Sequence, residues 1–245
     1  MDQIGGLLIQ IGIIKQMHTD IKTENKTKIT ETTKVTVISP CYERFEKYEE
    51  VLQSWLNQSE VDEIIVLDNS GTFQTKLPVT VVNLSRNLGP EAKYALALWA
   101  KNQLVIFADD DIIVQPGLVR DFLYYWKEKK GGSALGILGR IFNRESYYTS
   151  SHRWADAISS PVKVDYLGGG CTLVDQSWCA VPIRECPGHG IDDLWWNYYI
   201  KDNIDFFVIP TNKYKFISEY LHTGLHVEEE TRNLREQYSK EWGFL

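Results

Sequence analysis

A chain of 245 residues with 43% hydrophobic and 24% charged side chains carries enough apolar material for one large core, and its even composition excludes collagen-like, coiled-coil and wholly disordered classes. Its 33 Asp and Glu outnumber 26 Lys and Arg, a formal charge of -7, which is the wrong sign for a protein that grips nucleic acid through phosphate contacts. Aromatic residues reach 12%, with 8 Trp and 13 Tyr, which suits stacking on bases or sugar rings.

In chain order, Ile4, Leu7, Leu8, Ile11 and Ile14 recur at helical spacing, so residues 1–14 predict a short amphipathic helix that docks on the domain, a partner or a lipid surface. The stretch falls short of the roughly 20 residues of a bilayer crossing and has neither a basic leader nor a small-residue cleavage site, so no membrane span and no signal peptide are expected. Residues 15–34 are almost all polar and read as a linker, which places one folded domain over 35–245. Cys41, Cys171, Cys179 and Cys186 lack both a C-x-x-C spacing and the density of a disulfide scaffold, and they read as reduced thiols in a cytoplasmic setting. Three N-x-S/T sequences, at Asn25, Asn57 and Asn83, are too short a pattern to carry weight.

Residues 35–39 form a β-rich run, 43–56 show helical periodicity through Tyr48, Val51, Leu52, Trp55 and Leu56, and 63–67 form a buried strand. A strand over 79–84, a helix over 90–101 with Pro90 in its first turn, and a continuous apolar strand over 104–108 extend the alternation. The pattern predicts an α/β fold with a mostly parallel sheet covered by helices on both faces over 35–115. After a helix over 116–127 the alternation decays into strands over 135–141, 162–167 and 172–174 and helices over 194–201 and 227–240, a mixed second half over 116–245. No solenoid-length repeat occurs.

Ligands of an open parallel sheet bind beyond the carboxyl ends of its strands. Here those ends are polar: Ser39-Pro40-Cys41-Tyr42-Glu43-Arg44, Asp68-Asn69-Ser70, Ser85-Arg86-Asn87-Leu88-Gly89-Pro90 and Asp109-Asp110-Asp111. Two carboxylates about 4 Å apart repel by roughly 4 kcal/mol at an effective dielectric near 20, so a triplet of acids calls for a cation. In extended geometry Asp109 and Asp111 project to one side and Asp110 to the other, and their hard oxygens suit Mg²⁺ or Mn²⁺ carrying diphosphate. An N-capping cluster is the competing reading.

The opening V-T-V-I-S-P-C-Y-E-R, the L-D-N after the second strand, the R-N-L-G-P before the next helix and the D-D-D resemble nucleotide-sugar-dependent glycosyltransferases of the GT-A fold, and among them the broad, inverting family two. The likeness runs over roughly 35–226, and the chain is similar in compactness to glycosyltransferases of large algal viruses. It implies a GT-A domain with a nucleotide-binding half at 35–115 and an acceptor-binding half at 116–245. It further implies that Ser39, Pro40, Tyr42, Glu43 and Asp68 hold the base and ribose, with Arg86 near the nucleotide. Asp109 then faces ribose or metal, Asp110 joins the nucleotide-sugar contacts, and Asp111 is the principal ligand of Mn²⁺ or Mg²⁺. Gly169 and Gly170, in the run Leu167-Gly168-Gly169-Gly170-Cys171, resemble the loop beside donor sugar and acceptor. Asp193 matches the last Asp of the family's x-E-D, the base that takes the acceptor proton, and Asp192 stands where Glu is usual. A C-terminal histidine completes the metal site, His222 as first choice and His226 as the alternative. The implied partners are a nucleotide-sugar donor and a glycan or glycoprotein acceptor in the cytoplasm, the host's if the source is viral. Nucleic acid is not among them, and residues 1–14 make at most weak membrane-surface contact.

Side-chain chemistry agrees with that transfer. Asp68 accepts equally from uracil N3–H or from guanine N1–H and amino groups, which leaves UDP and GDP both open. Trp195 and Trp196 offer a partly apolar wall and a stacking face for a sugar. Arg232 and Arg235, on a helix reading E-E-E-T-R-N-L-R-E, read as a solvated ion-paired face rather than a diphosphate clamp. The glycine run lacks the Gly-Lys-Ser/Thr of an NTPase loop. Three other readings are a retaining enzyme of the same fold, a sugar-phosphate nucleotidyltransferase, whose glycine-rich basic loop is missing from 39–44, and a lectin-like module.

Overall fold

The computed structural model describes residue 30, residues 33–220 and residues 228–245. The predicted amphipathic segment 1–14, most of the linker, His222 and His226 lie outside the described residues.

The first half alternates β1 (Val35–Cys41), α1 (Tyr48–Leu56), β2 (Val61–Asp68), β3 (Thr80–Asn83), a 3₁₀ turn over Pro90–Ala92 leading into α2 (Lys93–Ala97), and β4 (Leu104–Ala108). β1 and β4 are buried along their whole length, as strands of a sheet covered by helices on both faces are. β5 (Ile112–Val114) and α3 (Leu118–Glu128) follow, then β6 (Ser133–Gly136), β7 (Leu138–Ile141), β8 (Ser151–Trp154), β9 (Val162–Val164), β10 (Tyr166–Leu167) and β11 (Cys171–Asp175). α4 (Asp192–Ile200), β12 (Asp205–Val208), β13 (Tyr214–Phe216) and α5 (Glu229–Glu241) complete the chain.

Eight strands form the central sheet in the order β3-β2-β1-β4-β11-β6-β12-β9. β3, β2, β1 and β4 run parallel, β11 runs antiparallel to both β4 and β6, and β12 is again parallel to β6. From β1 the chain moves one way to β2, and from β3 it crosses back past β1 to β4. Right-handed crossovers therefore put α1 and α2 on opposite faces. The predicted mostly parallel sheet with helices on both faces is what the chain forms.

Departures from the sequence pattern have local causes. α1 begins at Tyr48 rather than at residue 43, because Glu43 adopts a left-handed backbone (φ 58) that turns the chain. α2 ends at Ala97, short of 101: the Lys101 N–H bonds the Glu63 carboxylate (2.9 Å) instead of a helical carbonyl, and Trp99 is left 78% exposed. The runs 135–141 and 162–167 are each two strands, because the chain changes sheets at Ile137 and at Asp165, so that β7, β8 and β10 build a separate three-stranded sheet. The short aromatic strands β8, β12 and β13 carry no alternation long enough to read. Among the described residues no helix is long and apolar enough to cross a membrane.

Trp195 and Trp196 do not offer a sugar platform: both are buried. Trp196 stacks on Tyr94 of α2 (5.6 Å, 11° between planes) and meets Phe107 of β4 edge-on at 6.1 Å, while its indole N–H bonds the Trp178 carbonyl at 3.1 Å. Two consecutive tryptophans at the start of a helix can both be buried only when core surrounds that helix, as it does α4. This cluster fastens α4 to the sheet. Phe107→Ala is expected to cost about 3–5 kcal/mol of unfolding free energy, measured by urea denaturation.

Candidate active site

Because β2 lies on one side of β1 and β4 on the other, the strand order reverses between β1 and β4, and such a switch point opens a crevice beyond the strand ends. A cleft of about 430 Å³ lies there, within the usual range for a ligand pocket. Pro40, Tyr42 and Arg44 wall it from the end of β1, Asn69 from the end of β2, and Asp109, Asp110 and Asp111 from the end of β4.

Of the residues expected to hold a nucleotide, the structure brings Pro40 and Tyr42 to the cleft but not Ser39, Glu43, Asp68 or Arg86. Ser39 and Asp68 are 0% exposed, beneath the wall. Both Asp68 oxygens serve the following loop: Oδ1 accepts from the Ser70 N–H (2.9 Å) and hydroxyl (2.6 Å), and Oδ2 from the Phe73 N–H (2.7 Å). Burial works to raise the Asp68 pKa, yet these hydrogen bonds outweigh it and hold the carboxyl below its ordinary value. Asp68 thus shapes its loop, and the neighbouring Asn69 reaches the cleft while tying down the Leu88–Gly89 backbone (3.0 and 3.3 Å). Arg86 and Glu43 point to solvent; the left-handed turn at Glu43 instead delivers Arg44 to the acids.

The three aspartates do not continue β4 in extended form. Asp110 and Asp111 make a turn between β4 and β5, so the expected alternation of sides is lost. Arg44 Nη1 lies 3.2 Å from Asp110 Oδ1 and 3.8 Å from Asp111 Oδ2. Burial, reinforced by Asp111, pushes Asp109 and Asp110 up to about 7, against the pull of Lys93 on the first and Arg44 on the second. A carboxylate set displaced this way is short of positive charge. Among the described residues no group of three or more His, Cys, Asp or Glu is arranged to hold a metal. The donor set nonetheless fits Mg²⁺ or Mn²⁺, which take one or two protein carboxylates and fill the remaining positions with substrate phosphates and water.

Downstream chain braces this turn. β13 pairs with β5, the Ile217 N–H bonds the Asp111 carbonyl at 2.8 Å, and the Tyr220 ring lies 5.4 Å from the Arg44 guanidinium.

Asp192 and Asp193 open α4 as its first two residues rather than capping it, where the helix dipole favours negative charge. Each has its own buried cation. Lys93, 2% exposed on α2, places Nζ 2.7 Å from Asp192 Oδ2. Burial alone lowers the Lys93 pKa, but Asp192 and Asp109 outweigh it and keep the ammonium charged. Arg235, 8% exposed on α5, places Nη2 2.8 Å from Asp193 Oδ1 and is a core ion pair rather than part of a solvated face; Arg232 is exposed. Asp193 Oδ1 also accepts from the Leu194 N–H (2.8 Å), and Oδ2 accepts from the Tyr166 hydroxyl and the Gly169 N–H (3.2 Å). Burial pushes the Asp193 pKa up, and Arg235 with these donors brings it below its ordinary value.

Of the two predicted glycines Gly169 lines the cleft, and both leave little room for a side chain. A Cβ on Gly169 would sit 3.1 Å from Lys93 Nζ and 3.2 Å from Asp193 Cβ, and one on Gly170 would sit 3.3 Å from Asp109 Oδ2. Asn197 of α4 locks this loop in place, exchanging hydrogen bonds with both backbone groups of Leu167 at 2.9 Å. Sequence reasoning assigned no site role to Lys93, Arg44, Asn69 or Tyr166 and read Arg235 as part of a solvated face. Lys93 was legible only as a lone lysine directly after R-N-L-G-P-E-A.

The family model described as Glycosyl transferase family 2 matches residues 36–181, more than half of the chain. Among solved structures the chain is similar to the crystal structure of S. aureus TarS 1-349, with a TM-score of 0.56 and 20% identity over 74% of this chain and 59% of that one. The crystal structure of S. aureus TarS matches with a TM-score of 0.57 and 19% identity over 74% of this chain and 36% of that one. The chain therefore spans well under the full length of either, and at this identity the likeness concerns the fold. No curated protein matches the sequence.

Lys93→Met strands the Asp192 carboxylate in a buried place and is expected to lower the unfolding free energy by about 3–5 kcal/mol, whereas Lys93→Met combined with Asp192→Leu recovers most of it; urea titrations compare the two. Asp109 and Asp110 titrate at about 7 when folded and near the ordinary 3.8 when unfolded, so their contribution to stability is complete below the unfolded value and is lost as pH rises through the folded one. With a chelator present, these two groups are expected to make the melting temperature fall as pH rises from about 4 to about 7 and to level off above that, less steeply in Asp110→Asn.

Proposed function

Since the chain belongs to glycosyl transferase family 2 and has the GT-A fold, we propose that it moves a sugar from a UDP- or GDP-sugar to a hydroxyl of a glycan or glycoprotein, inverting the anomeric centre by direct displacement with Mn²⁺ or Mg²⁺ bound. The observation that carries this reading is the meeting, in one cleft at the switch point, of the β4-end aspartates with the Asp192–Asp193 pair that opens α4.

Residues 35–115 bind the nucleotide in this reading, with Pro40, Tyr42 and Asn69 against base and ribose, and residues 116–245 bind the acceptor. Asp111 and Asp109 hold the cation together with His222, or with His226 in its place; His222 follows Tyr220 by two positions, and Tyr220 packs on the arginine that binds Asp110 and Asp111. Bound there, a divalent cation supplies charge stabilisation for the departing diphosphate. Arg44 adds positive charge on the same side.

Asp193 is the base. The acceptor oxygen attacks the anomeric carbon, the bond from that carbon to the diphosphate breaks, and the acceptor proton passes to Asp193. Four donors already fill the lone-pair directions of this carboxylate, from Arg235, Leu194, Tyr166 and Gly169. Three of them are fixed by backbone or by a buried ion pair. The Tyr166 hydroxyl rotates, so its hydrogen is the one that yields to the acceptor. Asp192, paired with Lys93, keeps the second charge away from the base. The described cysteines are all free, in keeping with a cytoplasmic enzyme, and weak membrane-surface contact falls to residues 1–14 in this reading.

A thermal-shift panel of nucleoside diphosphates and nucleotide sugars, with and without Mn²⁺, tests the reading. A ligand at 100 times its dissociation constant stabilises by roughly 2.7 kcal/mol, and this shift is expected to need Mn²⁺ and to vanish in Asp111→Ala. A panel without any shift, or an undiminished shift in Asp111→Ala, overturns the donor site. NMR of the product overturns inversion if the donor's anomeric configuration is kept.

A further inference from the structure

α5 lies beyond the segment matched by the family model, and by composition it is a surface helix; yet it sends one side chain to the proposed base. We propose that Arg235 is a positioning residue for Asp193, which makes the C-terminal helix part of the catalytic machinery rather than an outer cover. The proposal rests on the reading of Asp193 as the base.

The geometry is a fork. Arg235 Nη2 donates to Asp193 Oδ1 at 2.8 Å, while Nη1 donates to the hydroxyls of Tyr147 (2.7 Å) and Tyr166 (3.1 Å). Tyr166 in turn donates to the other oxygen of Asp193. One planar guanidinium thus holds one carboxylate oxygen directly, and with it the position of the carboxylate, while it also holds the tyrosine that bonds the second oxygen until the acceptor takes that place. A point charge cannot do this, because a lysine ammonium lacks the rigid pair of parallel donors.

The fork is itself held. Tyr147 is buried, and its carbonyl accepts from Arg140 Nη1 at 2.8 Å. Glu236, next to Arg235 on α5, accepts from the Ser146 hydroxyl and the Tyr147 N–H, each at 2.8 Å. Two neighbouring residues of one helix therefore anchor the 146–147 loop and the base together. A structural ion pair alone does not need to face the cleft, but Arg235 lines it beside Asp193 and Gly169.

The test follows nucleoside diphosphate release from a panel of UDP- and GDP-sugars in Mn²⁺, with kcat and donor KM measured for Arg235→Gln, Arg235→Lys, Tyr147→Phe and Asp193→Asn beside their melting temperatures. For Arg235→Gln, kcat is expected to fall about 100-fold with donor KM within about twofold of wild type, since misplacing a reacting group by about 1 Å has that effect. Arg235→Lys keeps the charge and the fold and is expected to recover about tenfold of that loss but not all of it. If Arg235→Gln does not fold, Arg235→Lys and Tyr147→Phe decide, each expected to lower kcat at unchanged donor KM. Folded Arg235 variants that keep wild-type kcat while Asp193→Asn is inactive overturn the positioning role and leave the base standing. A rise in donor KM at constant kcat also overturns it, since Arg235 would then bind donor. Turnover retained in Asp193→Asn overturns the base reading, and this proposal with it.

Discussion

Like charges crowded into a low-dielectric cleft are the constraint around which the molecule is arranged. Asp109, Asp110, Asp111, Asp192 and Asp193 face one cavity, and an isolated buried carboxylate is too costly to remain ionised. The fold answers with three cations drawn from places far apart in sequence: Arg44 from the loop after β1, Lys93 from α2 and Arg235 from α5. Among the described residues lining the cleft, five aspartates and Glu228 outnumber the three Lys and Arg side chains, and the displaced Asp109 and Asp110 are where the shortfall falls. Asp192 and Asp193 each have a buried cation of their own, whereas Asp110 and Asp111 at the end of β4 share Arg44. That asymmetry separates a rigid acid pair from a set of oxygens with room for an added cation and its phosphates.

Much of this was written in local pattern. The apolar runs of β1 and β4 are buried on both faces and could be read without a partner, and the acids follow β4 directly, so the switch point was legible before any contact was known. Asp68 was not, since L-D-N does not say which of two adjacent polar side chains turns inward; three hydrogen bonds to its own loop decide that, and they depend on the path of residues 70–73. Trp195 and Trp196 misled because aromatic surface serves a core and a sugar equally well. Arg235 misled because the fully buried positions of its helix are polar. The buried face of α5 consists of Thr231, Arg235 and Ser239, spaced by four, and polar residues that pack on a charged neighbour leave no hydrophobic signal to find.

Membership of a glycosyltransferase family removes support from the nucleotidyltransferase and lectin alternatives, which rested on fold and composition. The family match stops at residue 181, however, so it covers β1 to β11 and the β4-end acids but neither α4 nor α5. The cleft residues at the ends of β1, β2 and β4 thus lie in the matched part. Lys93 and Tyr147 lie inside the matched segment, whereas Asp192, Asp193 and Arg235 lie beyond it.

The distance along the chain between the acids and their counter-charges has a consequence in time. A ribosome adding roughly 5–20 residues per second completes β4 on the order of ten seconds before residue 235 emerges. Throughout that interval the nascent protein has its parallel strands but lacks the guanidinium that neutralises Asp193, and the brace from Ile217 to the Asp111 carbonyl is missing for most of it. The proposed site is therefore completed late, and a chain released before residue 235 lacks the counter-charge of Asp193.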